Sequence, residues 1–321
     1  MAAFKTRKII TVKPSKPKAV KKKGAENPAT IKMRAIARAK VLDSNAKPVD
    51  VGKALMDTMQ WIPKDEPVTI FMSGGIDSHA CLFAALSLKL NVNIASFTMD
   101  THESSDFKAA KHAATTFGLK FYPIILKSSE KELKNWVLFA VNVLKQTKKS
   151  AIECMWPLYR GLEHMQGRTK HVVFGINGDN YFLMTKRLSM HCKDLVSEAR
   201  RYSFRKAFDQ NDMLRREAWV RGMYTHLPFS TDGRIYAELQ LETDFHKINK
   251  PQKSFLHAAF PKLHRQCKIK QHQNFQLGDS NISGIFAQKL LKSDWNINGF
   301  KSSVGIYNAV ASGKIKGKAK K

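Results

Sequence analysis

Val68-Thr-Ile-Phe-Met72, Ser73-Gly74-Gly75-Ile76-Asp77-Ser78 and His79-Ala-Cys-Leu-Phe-Ala-Ala-Leu86 run on from one another without a break, and this stretch decides how the chain reads. An apolar run of strand length passes through two glycines into a segment of helical length. Such a turn gathers backbone N–H groups at the positive end of a helix dipole, which makes a socket for phosphate. Ser73 and Ser78 set hydroxyls on either side of the glycines. Asp77 falls in the first helical turn, where negative charge is favoured. A carboxylate there suits Mg2+ held against a polyphosphate. A Gly-Gly pair alone is only a turn; with the hydroxyls, the acid and the strand–helix setting it points to ATP. The pattern is neither Gly-x-Gly-x-x-Gly nor the Walker Lys-Ser/Thr pair.

Working outward, apolar runs at Val68–Met72, Val92–Met99, Lys120–Leu126 and His171–Ile176 read as strands. Helical stretches at Ser78–Leu90, Asp106–Phe117, Glu130–Lys145 and Met155–Met165 separate them, and Asp50–Gln60 precedes them as an amphipathic helix closed by Pro63. Alternation of this kind predicts an α/β fold with a buried parallel sheet and ligands at the carboxyl ends of its strands. From Ser189 onward the pattern is helix-rich, with helices expected over Leu195–Phe208, Asp212–Thr225, Tyr236–Lys247, Gln252–His264 and Ser283–Lys292. The organisation expected is a basic arm over 1–48, a nucleotide-binding core over 49–188, a helical part completing the site over 189–300, and a basic tail over 301–321.

The chain has 321 residues, is 43% hydrophobic, and has no apolar stretch of membrane-spanning length. Cys81, Cys154, Cys192 and Cys267 are scattered without Cys-x-x-Cys spacing, and the charged N-terminus leads into no apolar leader. A reduced, cytoplasmic setting is the plain expectation. The net charge of +29 is high for an enzyme of small molecules. Residues 1–50 hold fourteen Lys/Arg against three acids, and Lys314, Lys316, Lys318, Lys320 and Lys321 crowd the C-terminus. Both ends read as disordered. Ile31–Leu42 reads as a short basic helix within the first. Such arms attach to phosphate backbones without reading sequence, and read equally as solubilising tails.

Ser73-Gly-Gly-x-Asp77-Ser78 resembles the PP-loop of the ATP pyrophosphatase superfamily. The resemblance implies a PP-loop (adenine nucleotide alpha hydrolase-like) fold that cleaves ATP between the α- and β-phosphates and keeps pyrophosphate in the loop. It implies ATP contacts from Met72, Ser73, Gly74, Gly75, Ile76, Asp77, Ser78, Phe174 and Gly175, and adenine packing at Met99, which ends the second strand. Phe174-Gly-Ile-Asn-Gly178-Asp179-Asn180 is a second glycine-bearing loop after a strand, and Asp179 there is a second candidate Mg2+ ligand beside Asp77. Further segments resemble the synthase domain of asparagine synthetases: Ser104-Ser-Asp106 with its spaced alanines, Glu153 through Pro157, Val172–Asp179, Lys253-Ser-Phe-Leu256-His-Ala-Ala-Phe260-Pro261, and Lys268-Ile-Lys270 with Phe275. This likeness implies AMP-forming ligation to a small carboxylate or amino acid, with Asp77 and Lys253 as catalytic groups and Lys268 or Lys270 as further cations. Asp77→Ala is then expected to abolish AMP formation and leave the fold intact.

Departures from that family stand beside the matches. No glutaminase domain with a leading cysteine precedes the loop, so ammonia or another amine is expected from elsewhere. The family's loop Glu, given a role in proton transfer, falls on Ile176, its second Gly on Asn177 and its last Glu on Asn180. Arg160 stands only near where the substrate-gripping pair would be. Competing readings are an RNA-modifying PP-loop enzyme, favoured by the charge, and a non-catalytic nucleic-acid-associated protein that keeps an ATP-binding fold. Stand-alone domains of this departed kind resemble those of large bacterial viruses. His79, His102, His112, His164 and His171 lack metal-ligand spacing, and Trp136, Trp156, Trp219 and Trp295 read as core.

Overall fold

The computed structural model describes residues 50–178, 208–231, 253–267, 269 and 280–317. Five strands form one sheet in the order β3-β2-β1-β4-β5, and every neighbouring pair is parallel. They are β1 (Pro67–Phe71), β2 (Asn91–Met99), β3 (Lys120–Leu126), β4 (His171–Phe174) and β5 (Tyr224–His226). Apart from their first residues, β1 and β2 are buried throughout, as is all of β4. Crossover helices cover both faces of such a sheet, so its inner strands read as continuous apolar runs. β3 instead alternates towards solvent and carries Pro123. Proline is tolerated on a sheet edge, where its missing N–H costs no ladder bond.

On one face lie α1 (Val51–Asp57), α2 (Ile76–Ser87), α3 (Ser105–Thr116) and the short α8 (Ser254–Ala259). Leu55, Phe83, Ala110 and Leu256 from these helices pack with Ile70 and Val173 of the sheet. The other face carries α4 (Glu130–Asn142), α5 (Lys149–Met165), α6 (Phe208–Trp219), α10 (Ile282–Leu291) and α11 (Ser303–Ala311). Trp136, Trp156, Leu214, Phe286 and Tyr307 join Phe97 and Phe174 there. Local sequence explains the starts. Asp50 caps α1 by accepting from Lys53 N–H at 3.0 Å, Ser104 caps α3 from Phe107 at 3.2 Å, and Ser129 caps α4 from Glu132 at 3.3 Å. α2 begins at Gly75 with no capping side chain.

Chain direction across the sheet sets the site. From β1 the chain steps outward to β2 and β3, then returns to the other side of β1 for β4 and β5. The loops leaving β1 and β4 therefore diverge side by side at a topological switch point, where open α/β sheets bind ligands. Phe71 and Phe174 stack at 4.5 Å where those loops begin. α5 lies close over them at Gly161, where a Cβ would come within 2.3 Å of the Phe71 ring.

Several elements differ from expectation. β4 stops at Phe174, because Gly175 to Gly178 turn away and Asn177 takes φ +71. The helix expected over Asp212–Thr225 ends at Trp219; Gly222, at φ +73, reverses the chain into a fifth strand, β5. Gln252–His264 is broken into α8 and α9 (Pro261–His264), since Pro261 has no N–H to continue a helix. Pro228–Thr231 forms a one-turn α7. Residues 301–317 are not a solvated tail: α11 buries Ile306, Tyr307, Ala309 and Val310. Trp219 is 66% exposed rather than core, whereas Trp136, Trp156 and Trp295 are buried. The arm, the helices expected over Leu195–Phe208 (save its last residue) and Tyr236–Lys247, and Asp179, Asn180, Cys192, Lys268, Lys270 and Phe275 lie outside the described residues. No described helix is long and apolar enough to cross a membrane.

Glu153, in α5, explains why the C-terminal helices stay. Its fully buried carboxylate accepts hydrogen bonds from the hydroxyls of Ser283 in α10 and of Ser303 (3.3 Å) and Tyr307 (3.0 Å) in α11. Lys149 Nζ stands 3.9 Å away. Burial pushes the Glu153 carboxyl above its ordinary range, against the opposing pull of Ser283 and Lys149. A carboxyl raised in the folded state contributes stability that is fully present below its unfolded pKa and is lost as pH rises through the folded value. Glu153→Gln is therefore expected to gain in urea midpoint relative to the wild type as pH rises from about 4 to 7. Glu153→Ala, which strands three hydroxyls, should cost about 2–4 kcal/mol. A Gln variant that falls further behind the wild type as pH rises would contradict this.

Candidate functional site

The loop after β1 is held in shape by its own serines. Met72 is still in the sheet: its N–H donates to Ala95 O at 2.9 Å and its carbonyl accepts from Ser96 Oγ at 2.8 Å. Ser78 Oγ accepts from Ser73 N–H at 3.3 Å and donates to the Gly75 carbonyl at 3.0 Å, with Ser73 Oγ 3.4 Å away. The two serines flanking the glycines thus close the turn as well as bordering it. His79 props it from below. The Gly75 carbonyl can only accept, so His79 Nδ1, 3.0 Å away, carries the proton. Nε2 is then the acceptor facing Cys267 Sγ at 3.4 Å. Burial pushes His79 down to about 4, so the ring is neutral, and burial raises the Cys267 thiol.

The two glycines do different work. Gly74 has φ +73, and a Cβ there would meet that of Ala109 in α3 at 2.7 Å. Gly75 has φ −80, and a Cβ would find only Ser73 Oγ, at 3.6 Å. The fold requires the first glycine; space above the amides of α2 is what the second preserves. The loop after β4 closes over the same turn. A Cβ on Gly175 would lie 2.8 Å from Ser78 N, and one on Gly178 would lie 2.3 Å from Asp77 Cγ. Asn177, held in the left-handed region that Asn tolerates, donates to Asn211 Oδ1 at 2.8 Å and Ser230 Oγ at 2.6 Å. Ile176 packs against the sheet core.

Lys253 completes the arrangement from 176 residues away. Its Nζ lies 2.6 and 2.5 Å from the two oxygens of Asp77, with the lysine side chain 1% and the aspartate 18% exposed. Lys253 itself sits at φ +54, immediately before α8, whose Leu256 and Phe260 are buried against α1 and α2. Among the predicted residues, Ser73, Gly74, Gly75, Ile76, Asp77, Ser78, Gly175 and Lys253 converge here, with Met72 and Phe174 buried beneath them. Met99 ends β2 at the same edge of the sheet but is 2% exposed, a core methionine. Arg160 is ion-paired with Glu132 and Glu163, joining α4 to α5. The supporting pairs His79–Cys267 and Asn177–Asn211 have no sequence signature: each joins residues distant in the chain through one hydrogen bond.

A divalent ion fits this chemistry in one respect. Mg2+ bound with a polyphosphate needs only one or two protein carboxylates, and Asp77 is partly exposed beside the uncapped helix start. Among the described residues there is no cluster of three metal-ligating side chains, so phosphate oxygens would complete the shell.

A five-stranded parallel sheet with a Ser-Gly-Gly-x-Asp-Ser loop at its switch point defines an α/β, PP-loop, ATP-utilising class of enzyme. The family model described as asparagine synthase matches residues 53–271, more than half of the chain, and the protein belongs to that family. Solved structures similar to it include the U34-tRNA thiolase NcsA from Methanococcus maripaludis with its [4Fe-4S] cluster, at 9% identity and TM-score 0.37, covering 82% of this chain and 76% of that one. Another is NMN synthetase from Francisella tularensis, at 11% identity and TM-score 0.31, covering 76% and 99%. No curated protein shows significant sequence similarity to the chain.

The unequal glycines give a direct check. Gly74→Ala should lose about 1–3 kcal/mol of stability from its positive φ and the Ala109 contact. Gly75→Ala should melt within about 0.5 kcal/mol of the wild type yet bind ATP at least tenfold more weakly by calorimetry. Undiminished ATP binding by Gly75→Ala would place the nucleotide elsewhere.

Proposed function

We propose that the protein is an ATP-dependent amide-forming ligase that activates a substrate carboxylate as its adenylate. The observation that carries this reading is the buried Lys253 ammonium clamped on Asp77 beside the open amides of α2. The amides around Ser73–Ser78 and the α2 dipole hold the outer phosphates. Gly175 borders the nucleotide, over a floor that Met72 and Phe174 support from beneath. Asp77, with Asp179 from outside the described residues, would hold Mg2+, which would supply neutralisation of polyphosphate charge. A carboxylate oxygen of the substrate attacks the α-phosphorus as the bond to the α–β bridging oxygen breaks, and pyrophosphate leaves with the electron pair. An amine nitrogen then attacks the acyl carbon, the acyl–oxygen bond breaks with its electron pair leaving on AMP, and the nitrogen gives up a proton to water.

Lys253 is the positive group placed to meet charge building on the phosphates, the kind of fixed electrostatic help that contributes most in such steps. Ile176 and Asn177 offer no base: one is a hydrocarbon and the other an amide engaged with Asn211 and Ser230. A second reading keeps the same activation chemistry but places the acceptor on a nucleic acid such as tRNA, and the +29 charge favours it.

ATP labelled at the α-phosphate, with Mg2+ and an amine, should yield AMP rather than ADP when the correct acceptor is supplied. Amino acids, tRNA and single-stranded DNA form the acceptor arms of the assay. Lys253→Met should lower that rate by about a hundredfold or more. Formation of ADP, or a Lys253→Met enzyme as fast as the wild type, would overturn the proposal.

A further inference from the structure

The tryptophans fall into two populations. Three are buried, while Trp61 and Trp219 are 58% and 66% exposed. Both exposed rings stand at the amino ends of the strands, the edge of the sheet opposite the nucleotide loop. Trp61 lies over His226 at 4.7 Å, His226 neighbours His171 at 5.2 Å, His171 stacks on Tyr224 at 5.4 Å, and Tyr224 meets Trp219 edge-on at 5.6 Å. In the sheet, Val68 of β1 and Tyr224 of β5 are both register partners of His171. The rings thus form one strip across β1, β4 and β5.

The strip is held from beneath by hydrogen bonds. Trp61 Nε1–H donates to Thr58 O at 3.1 Å. His171 is held by Glu66 at 2.7 Å and His226 at 3.0 Å, and burial pushes His226 down to about 3. Tyr224 (46%) and Val220 (66%) extend the exposed surface. Lys64, Arg168 and Arg216, close to these rings in the sequence, are exposed, and Asp65 and Glu163 are exposed acids beside them. The neighbouring Glu66, Glu163 and Glu217 are already in ion pairs with Lys170, Arg160 and Arg221.

We infer that this strip binds single-stranded nucleic acid. The exposed rings of Trp61, Tyr224 and Trp219, set around a floor of buried histidines and bordered by cations, match stacking bases and phosphates, each stacked base being held without sequence preference. A second copy of this protein is the poorer occupant, because it would bring another +29 of like charge. The inference is independent of the ligase chemistry, since it rests on the other edge of the sheet and needs no ATP.

The test is fluorescence anisotropy of the full chain with a labelled, mixed-sequence single-stranded DNA of roughly 20 nucleotides, longer than the usual site of about 4–16. DNA suffices because stacking and phosphate attraction need no 2′-hydroxyl. Working at about 0.2 M salt suppresses binding that is charge alone. Trp219→Ala and Tyr224→Ala, which remove rings but no charge, should each weaken binding about fivefold or more with the salt slope unchanged. A Trp61→Ala/Trp219→Ala pair should weaken it further, and duplex DNA of the same sequence should be indifferent to all of them. Circular dichroism checks folding; should Trp61→Ala unfold, the Trp219 and Tyr224 variants carry the test. Unchanged affinity in those variants would overturn the inference. So would unchanged affinity joined to a loss of oligomer in sedimentation, which would mark the strip as a protein interface.

Discussion

One ion pair ties the two ends of this architecture together. Lys253 buries an ammonium that water would otherwise solvate, and both oxygens of the Asp77 carboxylate grip it. Removing one partner of such a buried pair typically costs about 3–5 kcal/mol, because the other charge is left desolvated. The expectation that Asp77 can be removed without touching the fold does not survive this geometry. Lys253 also occupies a backbone conformation rare for a residue with a side chain. The next helix keeps it there, since Leu256 and Phe260 lock α8 against α1 and α2.

The pair stands where topology leaves room for a ligand. Divergence of the chain after β1 and after β4 opens the switch point, and two glycine loops meet in it. Most of the glycines there serve packing. Gly74 lets α3 approach, Gly175 and Gly178 let the β4 loop lie on the start of α2, and only Gly75 faces open space. A glycine-rich sequence at a nucleotide loop is thus largely a record of backbone meeting backbone, with one position reserved for the ligand. His79 and Cys267 add a second, neutral link between the Lys253 segment and the loop carbonyl.

How much can be read from residues alone depends on locality. β1, β2 and β3, the helices between them and the glycine loop are each specified by short-range pattern, and they lie close to where the sequence places them. Lys253 is legible only through its Leu256 and Phe260 context, by resemblance to the asparagine synthase family. β5 escapes a reading of the sequence because three residues, Tyr224–His226, carry too little alternation to outweigh the helical pattern before them. α11 escapes it because lysines dominate its surroundings, although Ile306, Tyr307 and Val310 supply an apolar face at helical spacing. Trp219 misleads because hydrophobicity says what a side chain prefers, and not what the rest of the chain leaves to cover it. Arg160 and Asn177 show the same limit for polar groups, whose partners Glu132, Asn211 and Ser230 are fixed by tertiary structure alone.

The most direct test of the account is a double-mutant cycle on stability with Asp77→Asn and Lys253→Met, measured by urea unfolding in the absence of ATP and Mg2+. Coupling of about 2 kcal/mol or more, with the double variant more stable than Asp77→Asn alone, is the predicted result. Losses that add within about 0.5 kcal/mol would contradict it, showing that the ammonium and carboxylate do not depend on each other in the folded protein.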